Sequence, residues 1–421
     1  MAQDIVARGL AGRLIANTRR SPNVIVCLGD SRMAQQFVDP PANLVKSQYG
    51  FLNVANALRG QRLSLAANYG VSGYRSDQYL ADAYLGPALA TNALWFLIFG
   101  IVNDVAADAA VDHFNTRVMP ACQRILNAGG RPILCTEPGA TSLAGSATSI
   151  AAIHAYNQKV RQAVAVKPGL VLFDLAAATL DPTSTTIAFK SGYSTDGTHY
   201  LVPGGYAQGQ AFAALMDALR IPSCDLLPCS AGETWANSGV QNLANPLFVT
   251  TTGGTAGTGT TASSGVPTGI TNSVGSTGVT ATLTTSAGAY GNDVQLAITA
   301  TQAGTYKLVM DMAANESPGE TWEALAQCDI ASGSSHLAAA SIELETNRAS
   351  VSTTARDLYS DTAHGALPAI AMTHSLRTPL LTIPSGARGW FTFRMVCQFD
   401  AAGSATVTWR RAAVRKRQSV S

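Results

Sequence analysis

The chain has 421 residues, and at about 150 residues per domain this length predicts two or three domains. The 28 Lys and Arg residues nearly balance the 26 Asp and Glu residues, which gives no support to a nucleic-acid or other general polyanion binder. With 47% hydrophobic residues, 38 glycines and 18 prolines, the chain is neither collagen-like nor wholly disordered.

The sequence shows no sign of a membrane span, a secretion signal or a metal site. No apolar run approaches the roughly 20 residues that a bilayer span needs. Several arginines and no clean apolar stretch precede Val24, so we expect no cleavable signal. The cysteines include no Cys-x-x-Cys pair and the histidines are scattered, so we expect no metal and no cofactor. Whether Cys224 and Cys229 pair is left open.

From Val24 to about Leu219, short apolar runs alternate with helical patterns. The runs are apolar at nearly every position, which is typical of parallel strands covered on both faces; they are Val24–Leu28, Leu63–Ala67, Leu94–Phe99, Ile133–Cys135 and Leu170–Phe173. Between two of them, apolar residues from Val111 to Ile125 recur at helical steps, with Pro120 expected to kink the helix. This alternation predicts an α/β domain whose ligands bind beyond the carboxyl ends of the strands.

After Pro222 the pattern changes to that of an all-β domain. No charged residue lies between Glu233 and Asp293, and residues 250–279 are nearly all Thr, Gly, Ser and Ala. The segments around Tyr306, Phe391 and Trp409 alternate apolar and polar residues, as half-buried antiparallel strands do. We therefore predict a catalytic-type domain at 1–222, a linker at 223–245 and an antiparallel, jelly-roll-like β-sandwich at 246–421.

The first predicted strand leads directly into Gly29-Asp30-Ser31. A serine just past the carboxyl end of a central strand is well placed to be a nucleophile, and glycine permits a sharp turn. The alternative is that Asp30 or Ser31 only caps the next helix.

Two further loops follow predicted strands and carry groups that can donate hydrogen bonds. Gly73 follows the second strand and offers an exposed backbone N–H, or it simply belongs to a glycine-rich loop. Asn103 follows the third strand and offers a side-chain amide, or it caps the next helix, a role that Asp104 fits equally well.

The motif Asp196-Gly197-Thr198-His199 lies far downstream. An Asp three residues before a His in a tight turn brings its carboxylate to the imidazole Nδ1, which fixes the tautomer and leaves Nε2 as a base. A lone loop histidine is otherwise an ordinary solvated residue.

Taken together and in this order, the four motifs resemble those of the SGNH, or GDSL, family of esterases and lipases, over roughly residues 22–220. The resemblance implies a flavodoxin-like three-layer α/β/α fold. It also implies Ser31 as nucleophile, His199 as base and Asp196 as the residue that orients it. The implied oxyanion donors are the backbone N–H groups of Ser31 and Gly73 and the side chain of Asn103.

Two features depart from the family pattern. One extra residue separates Gly100 from Asn103, and Arg32 follows the serine where many relatives have a small or apolar residue. Arg32 could form a salt bridge with a neighbouring loop or face the substrate. Other residues near the strand ends that we consider as substrate contacts, each with packing as the alternative, are Tyr74, Arg75, Glu137 and Tyr200.

The sequence favours an esterase that acts on a glycan. An esterase domain joined to a Thr/Gly-rich β-sandwich suggests removal of O-acetyl groups from a polysaccharide, with the sandwich binding the glycan. Without a secretion signal, we expect such a protein either to be a phage tail component or to leave a bacterium by a signal-independent route. As a phage tail component it would be a homo-oligomer such as a trimer. The alternatives are a non-catalytic surface-glycan binder that uses the hydrolase fold as a scaffold, and a cytoplasmic thioesterase or lysophospholipase. The sugar and the acyl group are left open.

Overall fold

The computed structural model describes residues 20–223, 225–361 and 363–417, so Cys224 and the arginines before residue 20 lie outside the described residues. The strands of the N-terminal half are β1 (Ser21–Gly29), β2 (Val45–Ser47), β3 (Ser64–Gly70), β4 (Ala93–Phe99), β5 (Arg131–Cys135) and β6 (Val171–Phe173). All but β2 form a parallel sheet in the order β3-β1-β4-β5-β6. Counted in chain order, this is the 2-1-3-4-5 arrangement of flavodoxin-like folds, which confirms the predicted fold class.

Helices cover both faces of this sheet. They are α1 (Ser31–Ala34), α2 (Phe51–Leu58), α3 (Ser76–Tyr79), α4 (Asp82–Ala90), α5 (Val102–Ala107), α6 (Met119–Asn127), α7 (Ala147–Val166), α8 (Leu175–Thr179) and α9 (Val202–Ala218). A π-helical turn, Phe114–Val118, leads directly into α6, whose second residue is Pro120, so the regular α-helix is interrupted just before the proline. The 3₁₀ turn Thr141–Leu143 precedes α7.

The apolar runs are explained by two cores, one on each face of the sheet. Along β1, Ile25 and Cys27 enter one core with residues of α2 and α9, whereas Val26 and Leu28 enter the other with residues of α4, α6 and α7. Because successive side chains of a strand point to opposite faces, a strand that is buried twice must be apolar throughout.

The C-terminal half is a β-sandwich built around one long strand. After α10 (Trp235–Ser238), its strands are β7 (Thr260–Ala262), β8 (Asn272–Gly275), β9 (Val279–Ala287), β10 (Asn292–Ala300), β11 (Gly304–Asp311), β12 (Thr321–Ile330), β13 (Ser335–Arg348), β14 (Val351–Tyr359), β15 (Met372–Arg377), β16 (Leu381–Thr382) and β17 (Arg388–Lys416). The first half of β17 pairs with β11 and β13, and its second half pairs with β10 and β12. Side chains of both halves meet in a single core, as two packed layers require.

The sandwich core shows which tryptophan is exposed. Trp390 is 44% exposed, whereas Trp322 is buried between Trp235 and Phe391. Trp322 is thus a core residue, since it shares the inward-facing side of β12 with Ala324 and its alternate neighbours.

The two halves are joined by more than the chain connection. The short strand β2 leaves the N-terminal half and pairs in parallel with β14 of the sandwich. The side chains of Tyr49, Val54 and Val202 belong to the same apolar cluster as the sandwich core. In the segment expected as a linker, Trp235 stacks on Trp322, so this segment packs against the sandwich.

The basic residues near the C-terminus are neutralised within the sandwich. Arg410, Arg415 and Lys416 pair with Asp329, Glu323 and Glu320, respectively. Within the described residues, no helix is long and apolar enough to cross a membrane.

Candidate active site

Ser31 is the first residue of α1, immediately beyond the carboxyl end of β1. The Asp30 side chain caps this helix by accepting the Arg32 N–H at 2.9 Å. A Cβ at position 29 would lie 2.4 Å from the Phe99 carbonyl oxygen, so only glycine allows β1 and β4 to close this tightly around the turn. The expected strand–turn–serine arrangement is thus present, and the helix cap is Asp30.

The structure brings His199 to Ser31. The Nε2 atom of His199 lies 2.8 Å from Ser31 Oγ, and its Nδ1 lies 2.5 Å from Asp196 Oδ2. The other oxygen of Asp196 accepts the backbone N–H groups of Thr198 and His199, which holds the turn rigid. With Nδ1–H donating to Asp196, Nε2 is free to accept the Ser31 hydroxyl proton.

The Asp196 carboxylate stays ionised at neutral pH. Partial burial opposes its charge, but the hydrogen bonds from the backbone and ring of His199 and from the Thr198 N–H outweigh it and lower the pKa of Asp196 to about 2. An ionised carboxylate at this position stabilises the imidazolium that forms when His199 takes a proton.

Gly73 and Asn103 line one open cavity of about 420 Å³, together with Arg75 and Gln78. Gly73 has φ +78°, and its loop begins where the Val71 N–H donates to the Gly29 carbonyl at the end of β1. Among the described residues, the N–H groups of Ser31 and Gly73 donate no hydrogen bond, which leaves them available to an oxyanion.

The Asn103 side chain is half-buried and donates to the Tyr74 carbonyl at 3.0 Å. Asn103 lies inside α5, which begins one residue earlier, so neither it nor Asp104 is the N-cap. Asp104 instead accepts from both the backbone and the hydroxyl of Ser76, at 2.8 and 2.6 Å. The extra residue after Gly100 thus still leaves the asparagine in the cavity.

Three of the residues expected near substrate are instead buried. Arg32 is fully buried, forms ion pairs with Asp30 and Glu137, and lies over the Phe99 ring at 4.6 Å. Glu137 also accepts the Ile101 N–H at 2.8 Å. Of the two alternatives for Arg32, the salt bridge to a neighbouring loop is therefore the one present, and burial removes both Arg32 and Glu137 from the possible substrate contacts.

Tyr200 is likewise buried, at 2% exposure, and does not reach the surface. Tyr74 is half-buried with its hydroxyl 3.2 Å from that of Tyr84, and Arg75 has 42% of its side chain exposed at the cavity. Of the five expected substrate contacts, Tyr74 and Arg75 therefore stay predictions.

The ion-paired set Asp30–Arg32–Glu137 contains the salt bridge that the sequence offered for Arg32, but the sequence did not identify Glu137 as its partner. Its ion pairs join the segments that follow β1 and β5, and Glu137 also accepts the Ile101 N–H from the segment that follows β4. Although burial opposes the charge, Asp30 and Glu137 raise the pKa of Arg32 above its ordinary value. The available signal was that Arg32 and Glu137 closely follow the apolar strands β1 and β5, respectively.

No family model and no curated relative matches the sequence. Among solved structures, the chain is similar to a mutant of an acetylxylan esterase from Geobacillus stearothermophilus (16% identity, 46% of this chain, 94% of that chain, TM-score 0.38). It is also similar to a member of the lipolytic protein G-D-S-L family from Veillonella parvula (14% identity, 47% and 98%, TM-score 0.34). A third similar structure is a carbohydrate-binding module of the β-sandwich superfamily (14% identity, 36% and 58%, TM-score 0.26). At these values the likenesses assign no activity, so the site must be interpreted from its geometry.

Proposed function

We propose that this protein is a serine esterase of the SGNH type. The observation that carries the proposal is the Ser31 Oγ–His199 Nε2 distance of 2.8 Å, with His199 held by Asp196 on its far side. A serine hydroxyl is barely nucleophilic at neutral pH and needs such a base. The segments that carry Ser31, Gly73 and Asn103 follow the neighbouring strands β1, β3 and β4 of the parallel sheet, which supports the proposal.

The reaction would proceed through an acyl-enzyme. His199 takes the Ser31 proton as Oγ attacks the ester carbonyl, and the resulting oxyanion is held by the N–H groups of Ser31 and Gly73 and the amide of Asn103. Collapse of this intermediate breaks the ester bond, and His199 gives its proton to the departing alcohol. Water then attacks the acyl group by the same route and restores Ser31.

The substrate we propose is an O-acetyl group on a polysaccharide. The cavity beside the site is open and lined by polar groups such as Arg75 and Gln78, which suits a polymer better than a lipid chain. On the sandwich, the exposed Trp390 indole is oriented by its N–H donating to Glu345 at 3.1 Å and offers a face for a sugar ring. In this proposal the protein is a homo-oligomer that is virion-associated or otherwise exported, so that it can reach such a glycan.

The proposal is tested by acetate release from p-nitrophenyl acetate and from an acetylated glycan. Ser31→Ala should reduce the rate to near background, because it removes the only attacking atom in the mechanism. The matched control is Ser286→Ala, which changes an exposed serine of β9 and should keep the wild-type rate. If Ser31→Ala kept at least half of the activity with an unchanged circular dichroism spectrum, the nucleophile assignment would be wrong.

A further inference from the structure

The segment that carries the nucleophile is tied to the sandwich. Helix α1, which begins at Ser31, leads into Gln36, whose carbonyl accepts the Ser47 N–H of β2 at 3.0 Å. β2 in turn pairs with β14, and the Gln48 N–H just after β2 donates to the Tyr359 carbonyl at 2.8 Å. The position of α1 is therefore linked to the end of β14.

The segment that carries the catalytic histidine is tied to the same part of the sandwich. The N–H of Val202, three residues after His199, donates to the His364 carbonyl at 2.8 Å. The first turn of a helix has N–H groups with no partner inside the helix, and His364 supplies one for α9. His364 follows β14 by only five residues, so one stretch of the sandwich touches both catalytic segments.

The ring of His364 is fixed on two sides. It stacks on Tyr49, with ring centroids 4.0 Å apart and planes 18° apart, and its Nδ1 is bonded to Asp361. Tyr49 follows β2 closely, and its carbonyl packs against α9 at Gly205, where a Cβ would lie 2.2 Å from that oxygen. Through Tyr49, the segment after β2 therefore contacts both α9 and the sandwich residue His364.

We propose that residues 356–361 together with Ala363 and His364, which we call the clamp segment, set the distance between Ser31 and His199, with His364 as the positioning residue. The sandwich would then be part of the catalytic unit as well as a binding module. A serine and its base must be aligned within a fraction of an ångström, and a misplacement of about 1 Å can cost about 10²-fold in rate. The clamp segment acts on segments adjacent to both residues without touching substrate.

The chain offers a matched control for this proposal, which rests on the proposed esterase function. His336 is also a sandwich histidine paired through Nδ1 with an aspartate, Asp400 at 3.0 Å, and its side chain is 52% exposed. It makes no described contact with α1, β2 or α9. His336→Ala therefore removes the same chemistry from the same domain without affecting the clamp segment.

The experiment compares kcat and KM of the full chain for p-nitrophenyl acetate. We expect His364→Ala to lower kcat at least 10-fold with KM within 2-fold of wild type, and His336→Ala to change neither by more than 2-fold. His364→Phe keeps the stack on Tyr49 and should recover part of the lost kcat. A His364→Ala enzyme with wild-type kcat would overturn the proposal, and so would equal losses in both alanine variants.

A second measurement separates this proposal from the esterase assignment. In proton NMR, the His199 Nδ1–H bonded to Asp196 should give a far-downfield signal, identified by its absence in His199→Ala. We expect that signal in wild type and His336→Ala, and a shifted or broadened one in His364→Ala. If wild type proved inert toward esters, the esterase assignment would fail alone, and an unchanged signal in His364→Ala would then overturn the clamp proposal.

Discussion

His199 and Ser31 lie 168 residues apart in the sequence, yet their side chains approach to 2.8 Å. The approach is a consequence of sheet topology. β1 is the second strand from the sheet edge, and its carboxyl end faces the loop that precedes α9.

Replacing Asn103 tests the oxyanion site. Asn103→Ala should lower kcat by about 10²–10³-fold with little change in KM, because the amide is needed chiefly when charge develops in the transition state. Steady-state kinetics with p-nitrophenyl acetate measure both constants. An unchanged kcat would show that Asn103 is not an oxyanion donor and would leave the backbone N–H groups of Ser31 and Gly73 in that role.

The pH dependence should come from the base and not from the carboxylate. Since the pKa of Asp196 is lowered to about 2, this group remains ionised throughout pH 4–9. A histidine base must be neutral to accept a proton, so the rate should fall when acid protonates the base and not because Asp196 loses its charge. A rate that stays flat from about pH 5 to 9 would contradict this role of His199.

Arg32 should matter for stability. Arg32→Ala leaves Asp30 and Glu137 buried without their cation, and breaking a buried ion pair costs about 3–5 kcal/mol. The exposed pair of Arg124 with Asp82 is the control, and Arg124→Ala should cost less than about 1 kcal/mol. Urea titrations give both free energies of unfolding, and equal losses would show that the buried set is no more important than a surface pair.

His374 should make the sandwich sensitive to acid. It is fully buried, and burial lowers its pKa to about 4. The unfolded chain binds a proton near pH 6.5 and the folded chain only near pH 4, so stability is lost as pH falls through this window, by up to about 3 kcal/mol. Urea midpoints at pH 7 and pH 5 should show this loss in wild type and less of it in His374→Leu. An equal loss in both would assign the acid sensitivity to other groups.

Much of the fold could be predicted because it depends on local patterns of apolar and polar residues. A strand buried on both faces must be apolar throughout, as β1 and β4 are, and a half-buried strand must alternate, as around Phe391. The same alternation along β12 carries Trp322 inward with Ala324, so its burial also follows from a local pattern.

The site could be predicted only in part. The Asp196-x-x-His199 turn is local, and the meeting of His199 with Ser31 was implied by the family resemblance and not by spacing. Asp361 and His364 have the same sequence spacing and form the same carboxylate–Nδ1 pair in the sandwich, so the motif alone does not identify a catalytic histidine. The burial of Arg32 and the role of β2 depend on long-range packing, which no local pattern in the sequence reveals.

The most direct test of the central claim is to trap the nucleophile. The full chain is treated with a serine-reactive fluorophosphonate, which mimics the tetrahedral intermediate, and the modified peptide is identified by mass spectrometry. We predict one adduct per chain, located on Ser31, formed much more slowly in His199→Ala and absent from Ser31→Ala. An adduct that forms at the wild-type rate in Ser31→Ala, or that lies on another residue, would contradict the account.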